Sequence, residues 1–252
     1  MTPRMRLDAL LVSRGLAESR EKARALILAG KVEVAGQRSV KAGAAVAMDA
    51  DIRVDAPEHP WVGRGGIKLA HALEVFNIEV TGRLGLDIGA STGGFTDVLL
   101  QHGARRVIAL DVGHNQLHWK LRSDPRVTVL EGVNARDLTR NDLPDIGEGV
   151  EIATIDVSFI SLRLILPVLP ALLAPASDIV ALVKPQFEAG RTDVGRGGVV
   201  TDLAVHQRVI DQVTSAATEA GLARISVIDS PITGAEGNRE FLMHARPRAG
   251  GR

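Results

Sequence analysis

The chain has 252 residues, 45% of them hydrophobic, with 30 Lys and Arg balancing 30 Asp and Glu and no cysteine. That length suits one large domain, or a small one joined to a medium one, with enough aliphatic residues for a buried core. The absence of cysteine excludes disulfides, thiol nucleophiles and cysteine metal sites; the start, Met1 to Asp8, has no apolar signal-like run, and together these fit a cytoplasmic protein. The charge is unevenly spread. Residues 1–45 hold nine Lys or Arg and four Asp or Glu, so this stretch carries +5 and the remainder −5. A basic segment on a neutral chain points to a local surface for a polyanion.

In chain order, residues 6–30 read as two helices. Leu7, Leu10 and Leu11 form one apolar stripe closed by Gly15; Ser19 is an N-cap, Ala23, Leu26 and Ile27 face inward, and Gly30 is the stop. Val32 to Val34 alternates like a strand, Gly36-Gln37 is a turn, and Ala44 to Val46 and Ile52 to Val54 suggest two more short strands. Arg20, Lys22, Arg24, Lys31, Arg38 and Lys41 would then make a face that tracks phosphates. No aromatic is interleaved, so shape and backbone recognition of folded RNA suits it better than base stacking, although a solvated charged face has the same composition. The pattern Arg6-Leu-Asp-x-x-Leu, Gly15-Leu, Ser19-Arg20-x-x-Ala23, Ile27-x-x-Gly30-x-Val32-x-Val34-x-Gly36 resembles the S4-type RNA-binding domain. That resemblance favours the RNA-binding reading and makes Arg6, Arg20, Lys22, Arg24, Lys31, Arg38 and Lys41 candidate contacts, joined by Arg64 further on.

Residues 1–55 are therefore expected to form one domain, 56–63 a linker, 64–246 a second domain and 247–252 a tail. The run Gly63-Arg64-Gly65-Gly66, followed by Lys68, leads into a helix through Ala72, Leu73 and Phe76. Read alone it is a flexible hinge with a surface lysine. Next, Leu84 to Ile88 is a short apolar run that feeds Gly89-x-x-x-Gly93-Gly94 and then a helical pattern. Such a turn ends a strand, lets backbone approach a ligand, and offers free N–H groups at a helix start. Its spacing is neither the dinucleotide fingerprint nor a phosphate-cradling loop. With Asp111 closing the next strand, where a carboxylate reaches a ribose diol, it suits S-adenosylmethionine; packing glycines in an ordinary strand–turn–helix look similar. The expected cofactor residues are Asp87, Gly89, Ala90, Ser91, Gly93, Gly94, Phe95, Asp111 and Val112, with Asn134 and Ala135 at the third strand end. Val107–Asp111, Val127–Leu130, Ile152–Asp156 and Ile179–Lys184 read as buried parallel strands. Leu164 to Ser177, too short to span a bilayer, reads as buried helix and loop. Thr201 to Ala220 reads as a long helix with Leu203, Val209, Ile210 and Val213 inward, and Ile225–Asp229 and Phe241–His244 as the last strands.

Four polar residues stand at element ends: Lys68, Asp156, Lys184 and Glu240. Carboxyl ends of parallel strands share one sheet edge, so Asp156 and Lys184 are expected beside each other and beside Gly89 to Gly93. Together they resemble the FtsJ-like ribose 2′-O-methyltransferases, which carry a Lys-Asp-Lys-Glu tetrad in this order. The match to the TlyA, or haemolysin A, family is closer. It rests on Arg64-Gly-Gly-x-Lys68-Leu69, Asp87-Ile-Gly-Ala-Ser-Thr-Gly-Gly-Phe-Thr-Asp97, Asp156-Val-Ser-Phe-Ile-Ser-Leu162, Lys184-Pro-Gln-Phe-Glu188 and Gly237-Asn-Arg-Glu240-Phe241. Gly63 departs from the serine frequent in relatives, which loosens the hinge only.

The resemblance implies an α/β fold: a Rossmann-like class I methyltransferase domain, an open, mostly parallel sheet with helices on both faces, behind the small S4-type domain. It implies S-adenosyl-L-methionine as cofactor, cytidine 2′-hydroxyls of ribosomal RNA as targets, and Lys68, Asp156, Lys184 and Glu240 as catalytic residues. A ribose hydroxyl is a weak nucleophile and needs a base or strong polarisation. Lys184 is expected to deprotonate it, Asp156 to orient Lys184, and Lys68 and Glu240 to hold the ribose and the network. The seven histidines are scattered and no cluster has metal-ligand spacing, so no metal and no membrane partner are expected. A catalytically dead RNA-binding protein and a pore-forming haemolysin are the competing readings; the intact tetrad speaks against the first, and the lack of a spanning or cationic amphipathic segment against the second.

Overall fold

The computed structural model describes residues 3–17, 19–38, 41–54, 59–190, 192–234 and 236–248, and of Lys22 the backbone only. The expected contact through the Lys22 side chain, residues 56–58 of the linker and the tail beyond Arg248 lie outside the described residues. Two compact units are present, Met1–Pro60 and Trp61–Arg252.

The first unit runs β1 (Arg4–Arg6), α1 (Leu7–Ser13), α2 (Arg20–Leu28), β2 (Val32–Val34), β3 (Gln37–Arg38), β4 (Ala45–Ala47) and β5 (Ile52–Val54). Leu7, Leu11, Ala23, Ile27 and Val32 form its core, the apolar stripes of both helices meeting one face of β2. Gly15 and Gly30 both adopt positive φ at 69° and 68°, which lets the next N–H turn back onto the helix (Leu16 to the Leu11 carbonyl, Lys31 to the Leu26 carbonyl). Two short strands escape the periodicity: β1 pairs antiparallel with β4, and β3 extends an antiparallel β3-β2-β5 sheet.

The second unit contains α3 (Gly65–Val75), β6 (Leu84–Ile88), α4 (Gly94–Gln101), β7 (Arg106–Asp111), α5 (Trp119–Arg122), β8 (Val127–Glu131), β9 (Val150–Ile155), α6 (Leu169–Leu172), β10 (Leu173–Val183), α7 (Pro185–Glu188), α8 (Leu203–Glu219), β11 (Leu222–Asp229) and β12 (Phe241–Pro247). Its sheet has the order β11-β12-β10-β9-β6-β7-β8. β12 is antiparallel to both neighbours, and the other pairs are parallel. Aliphatic cores cover both faces: Leu69, Leu73, Phe95, Leu99 and Val107 belong to one, Ile88, Leu110, Ile155, Leu166, Val209 and Val213 to the other. Each such side chain contributes about 1.5–3 kcal/mol by leaving water. After β6 the chain builds outward through β7 and β8, then returns to place β9 on the other side. The carboxyl ends of β6 and β9 therefore flank a topological switch point, the place where open α/β sheets bind ligands.

Three expectations change. The stretch Leu164 to Ser177 is short 3₁₀ turns and the four-residue α6, because Pro167 and Pro170 sit at helix starts; β10 then begins at Leu173. Leu203, placed inward by periodicity, is exposed at the first turn of α8, and Val205 and Ala217 are buried instead. The residues Trp61 to Gly63 are packed into the second unit: Val62 N–H donates to Asp97 Oδ2 at 2.8 Å, and a Cβ on Gly66 would stand 2.3 Å from the Trp61 ring.

Candidate active site

The Gly-rich turn leaves β6 in an unusual backbone course. Gly89, Ser91 and Gly93 all have positive φ, at 83°, 47° and 97°. Gly89 needs its freedom for close approach, since a Cβ there would stand 2.5 Å from the Asp156 carbonyl oxygen. That absence of side chain lets the end of β9 lie against the turn, where Asp156 N–H donates to the Ile88 carbonyl. Asp111, at the end of β7, ties the turn down: its Oδ2 accepts from Ser91 N–H and its Oδ1 from Gly113 N–H, both at 2.7 Å. A carboxylate has about four acceptor positions, so two remain for a diol. Ser91 Oγ donates to Gln116 Oε1.

Two cavities open at this edge. The larger, about 520 Å³, is lined by Gly89, Ser91, Asp111, Val112, Asn134, Ala135 and apolar residues including Val133 and Ile165. The smaller, about 210 Å³, is lined by Gly65, Ala90, Thr92, Gly94, Phe95 and Lys184 among others. Gly89, Ser91, Asp156 and Ser158 border both. A carboxylate, a side-chain amide and apolar walls in a cavity of this size match the diol and the flat heterocycle of a nucleoside.

Two of the expected cofactor residues do something else. Asp87 is fully buried in β6, accepting from Thr96 Oγ1 at 2.7 Å and Thr154 Oγ1 at 3.0 Å, and lines neither cavity. Burial pushes its carboxyl up to about 6 despite those two hydrogen bonds. Its role is to fasten β6 to α4 and β9 beneath the turn. Gly93 also lines neither cavity. A Cβ on it would stand 2.2 Å from Leu121 Cδ1 and 2.8 Å from Leu117 Cδ1, so its missing side chain leaves room for those two leucines.

The four polar residues form two ion pairs. Lys184, just beyond β10, places Nζ 2.7 Å from Asp156 Oδ1, just beyond β9, and donates to Ser158 Oγ at 3.0 Å. Lys68, on α3, places Nζ 2.5 Å from Glu240 Oε2, before β12. Lys68 is only 8% exposed, so the reading of a surface lysine on a hinge does not hold. Neither Lys68 nor Glu240 lines the two cavities, although Gly65, at the start of the same helix, would put a Cβ 3.7 Å from Asp156 Oδ2. Ser158, Gln116 and Phe159 also line the site and are not among the expected site residues. Ser158 carries a local signal: it is a hydroxyl two residues past Asp156 in the short segment that follows the end of β9. Phe159 is 90% exposed at φ 63°, with its ring 5.0 Å from that of Phe187.

Of the candidate RNA contacts, Arg6, Arg20 and Arg24 converge on Asp8. Arg38 lies 3.9 Å from Glu33, Lys41 is exposed, Lys31 is half-buried, and Arg64 is exposed at the start of α3 in the second unit.

A parallel sheet with one reversed strand near its edge, a Gly-rich turn at the switch point and a nucleoside-sized cavity define a class I methyltransferase fold. The FtsJ-like methyltransferase family matches residues 61–246 and the S4 domain residues 5–48. The chain belongs to the FtsJ-like methyltransferase family and carries an S4 domain at its N-terminal side. It is 49% identical over 247 residues to the 16S/23S rRNA (cytidine-2'-O)-methyltransferase TlyA of Mycobacterium tuberculosis, covering 98% of this chain and 91% of that protein. It is 44% identical over 240 residues to Hemolysin A of Brachyspira hyodysenteriae, covering 95% and 99%. The fold also matches an S-adenosylmethionine dependent methyltransferase from Mesorhizobium loti with a TM-score of 0.55 at 18% identity, over 73% of this chain and all of that one.

Proposed function

We propose that this protein uses S-adenosyl-L-methionine to methylate ribose 2′-hydroxyls of cytidine in ribosomal RNA, in the cytoplasm, with the N-terminal unit contributing RNA affinity. The observation that carries the reading is the Lys184–Asp156 pair at the ends of adjacent strands, bordering the cavity under the Gly-rich turn. The substrate class follows the name of the relative at 49% identity. Hemolysin A is the name of another relative, and among the described residues no helix is long and apolar enough to cross a membrane.

S-adenosylmethionine, when bound, would supply an electrophilic methyl group on a sulfonium, with a neutral thioether as leaving group. What the chain contributes is placement and proton handling. Asp111, which lines the larger cavity, would take the cofactor's ribose diol, and Val112, Val133, Asn134 and Ala135 in the same lining would flank its base. Lys184 Nζ, as the neutral amine, takes the 2′-hydroxyl proton as the ribose oxygen attacks the methyl carbon. Asp156 and Ser158 fix the Lys184 head so that its remaining positions face the smaller cavity's space. Lys68 and Glu240, paired and buried, hold the start of α3 and the approach to β12 in register, and as a charged pair they complete the polar network that would hold the acceptor ribose.

The test is methyl transfer from isotopically labelled S-adenosylmethionine to ribosomal subunits and protein-free ribosomal RNA, followed by mapping of 2′-O-methyl positions by mass spectrometry. Label at cytidine ribose supports the reading. Cofactor binding with label only on bases, or none on RNA, overturns it.

A further inference from the structure

Asp8 is a fully buried acid in a stretch of net positive charge, and its carboxylate takes four contacts from three arginines. Its Oδ1 accepts from Arg6 Nε at 3.1 Å; its Oδ2 accepts from Arg6 Nη2 at 2.9 Å, Arg20 Nη2 at 3.2 Å and Arg24 Nε at 3.2 Å. Arg6 precedes α1 while Arg20 and Arg24 lie one turn apart on α2, so one carboxylate gathers guanidiniums from two elements. The hydrogen bonds from Arg6 above all, against the effect of burial, hold the Asp8 carboxyl well below the usual carboxylate range, so it stays charged wherever the protein is folded. A Cβ on Gly43 would stand 3.2 Å from Arg6 Nη1, so the guanidinium rests against a residue with no side chain.

One partner would neutralise a buried carboxylate, whereas here three cations share one anion, leaving a local charge of +2. The three arginine side chains keep 50%, 52% and 52% of their surface exposed. Each guanidinium has five N–H groups, and Asp8 engages at most two of any one. Other arginines of this unit are used differently. Arg4 donates to the Ala45 carbonyl at 2.6 Å, and Arg14 donates to the carbonyls of Ala50 and Met48. Three like charges would ordinarily spread apart, and each long side chain would lose rotamer freedom when captured by a ligand. A shared buried counter-ion removes both costs in advance.

We propose that Asp8 assembles Arg6, Arg20 and Arg24 into a single receptor for phosphates of the RNA backbone, acting as its positioning residue. This rests on the reading of the N-terminal unit as an RNA-binding domain. Planar forked donors suit phosphate oxygens, and a cluster of three suits neighbouring phosphates on a folded strand better than an isolated anion.

The sign of one substitution separates this from a general charge effect. Asp8→Asn makes the chain more positive by one, so if charge alone mattered, RNA would bind more tightly and with a steeper salt dependence. Assembly by Asp8 requires the opposite: affinity for protein-free ribosomal RNA, measured by filter binding across a salt series with the full chain, should fall about tenfold, the scale of one lost hydrogen bond to a charged group. Arg6→Gln, Arg20→Gln and Arg24→Gln serve where Asp8→Asn does not fold. Each should weaken binding several-fold and lower the log–log salt slope by about 0.7–0.9. Arg4→Gln and Arg14→Gln, which remove the same charge from the same unit, should change affinity less than about twofold. Equal losses for all five arginines, or tighter binding by folded Asp8→Asn, overturns the receptor while leaving the RNA-binding reading intact. Failure of the wild-type chain to bind ribosomal RNA overturns both.

Discussion

Lys68 and Glu240 are 172 residues apart in the chain, yet their charged groups meet at 2.5 Å in a site that excludes nearly all water. Such a pair is held by its own geometry, and each half depends on the other. Glu240→Gln leaves a buried ammonium without its counter-charge, and should cost about 3–5 kcal/mol in urea denaturation of the second unit. Replacing both partners, Lys68→Met with Glu240→Leu, should recover most of that loss, because burying two apolar groups avoids desolvating two charges. Methyl transfer should remain lost in the double variant. Recovery of activity together with stability would reduce the pair to a scaffold.

Asp87 gives a pH signature. Its folded carboxyl titrates near 6, above the ordinary value of 3.8. The folded state therefore binds its proton more tightly than the unfolded state does. This contribution to stability is full below about pH 4 and is lost as pH rises through about 6. Asp87→Asn has no such titration. The stability of the variant relative to wild type should consequently improve by on the order of 1 kcal/mol between pH 5 and pH 8, on top of any constant offset. Urea melts at four or five pH values across that range are sufficient; a difference that does not change with pH would mean that burial does not govern this carboxyl.

How much of this was readable in advance depends on distance along the chain. The Gly-rich turn, the strands that feed it and the positions of Asp156 and Lys184 at neighbouring strand ends follow from local periodicity, and the structure has all of them. Pairing is another matter: nothing local says that Lys68 meets Glu240 rather than the ribose. Asp8 was invisible as an organiser because an acid within a basic run lowers the net charge, the quantity being read. Gly93 and Asp87 belong to the turn motif, but motif membership does not say which side of the backbone a residue serves. β1 and β3 are two or three mostly polar residues each, too short for alternation to register. Pro167 and Pro170 were visible, but the apolar run around them outweighed what their rings do to a helix.

Gly89 and Gly93 should respond differently to the same added methyl group. At Gly93 the obstacles are the ends of two leucine side chains, Leu121 at 2.2 Å and Leu117 at 2.8 Å; at Gly89 it is backbone, the Asp156 carbonyl oxygen at 2.5 Å. Both alanine variants carry positive-φ strain of about 1–2 kcal/mol. Gly93→Ala combined with Leu121→Ala should be more stable than the two single effects add up to, by about 1 kcal/mol or more, and should regain much of its cofactor affinity. Gly89→Ala should not be relieved by Val157→Ala, although the Val157 side chain is the next neighbour. Denaturation and calorimetric titration with S-adenosylmethionine decide this, and additive Gly93–Leu121 effects would place the constraint on Gly93 elsewhere.

Lys184 carries the chemistry proposed here, and its variants divide binding from reaction. It stands 2.7 Å from Asp156 and 3.0 Å from Ser158, bordering the smaller cavity. Lys184→Ala should abolish methyl transfer and leave cofactor affinity nearly intact, because a general base acts on the chemical step. Lys184→Arg keeps the charge and could keep the contact to Asp156, but a guanidinium does not give up its proton near neutrality, so it too should be inactive. Asp156→Asn removes the anion that orients the lysine, so the rate should fall while cofactor affinity stays nearly intact. Substantial activity in Lys184→Arg would leave Lys184 as a fixed positive charge beside the acceptor and move the proton's destination to solvent.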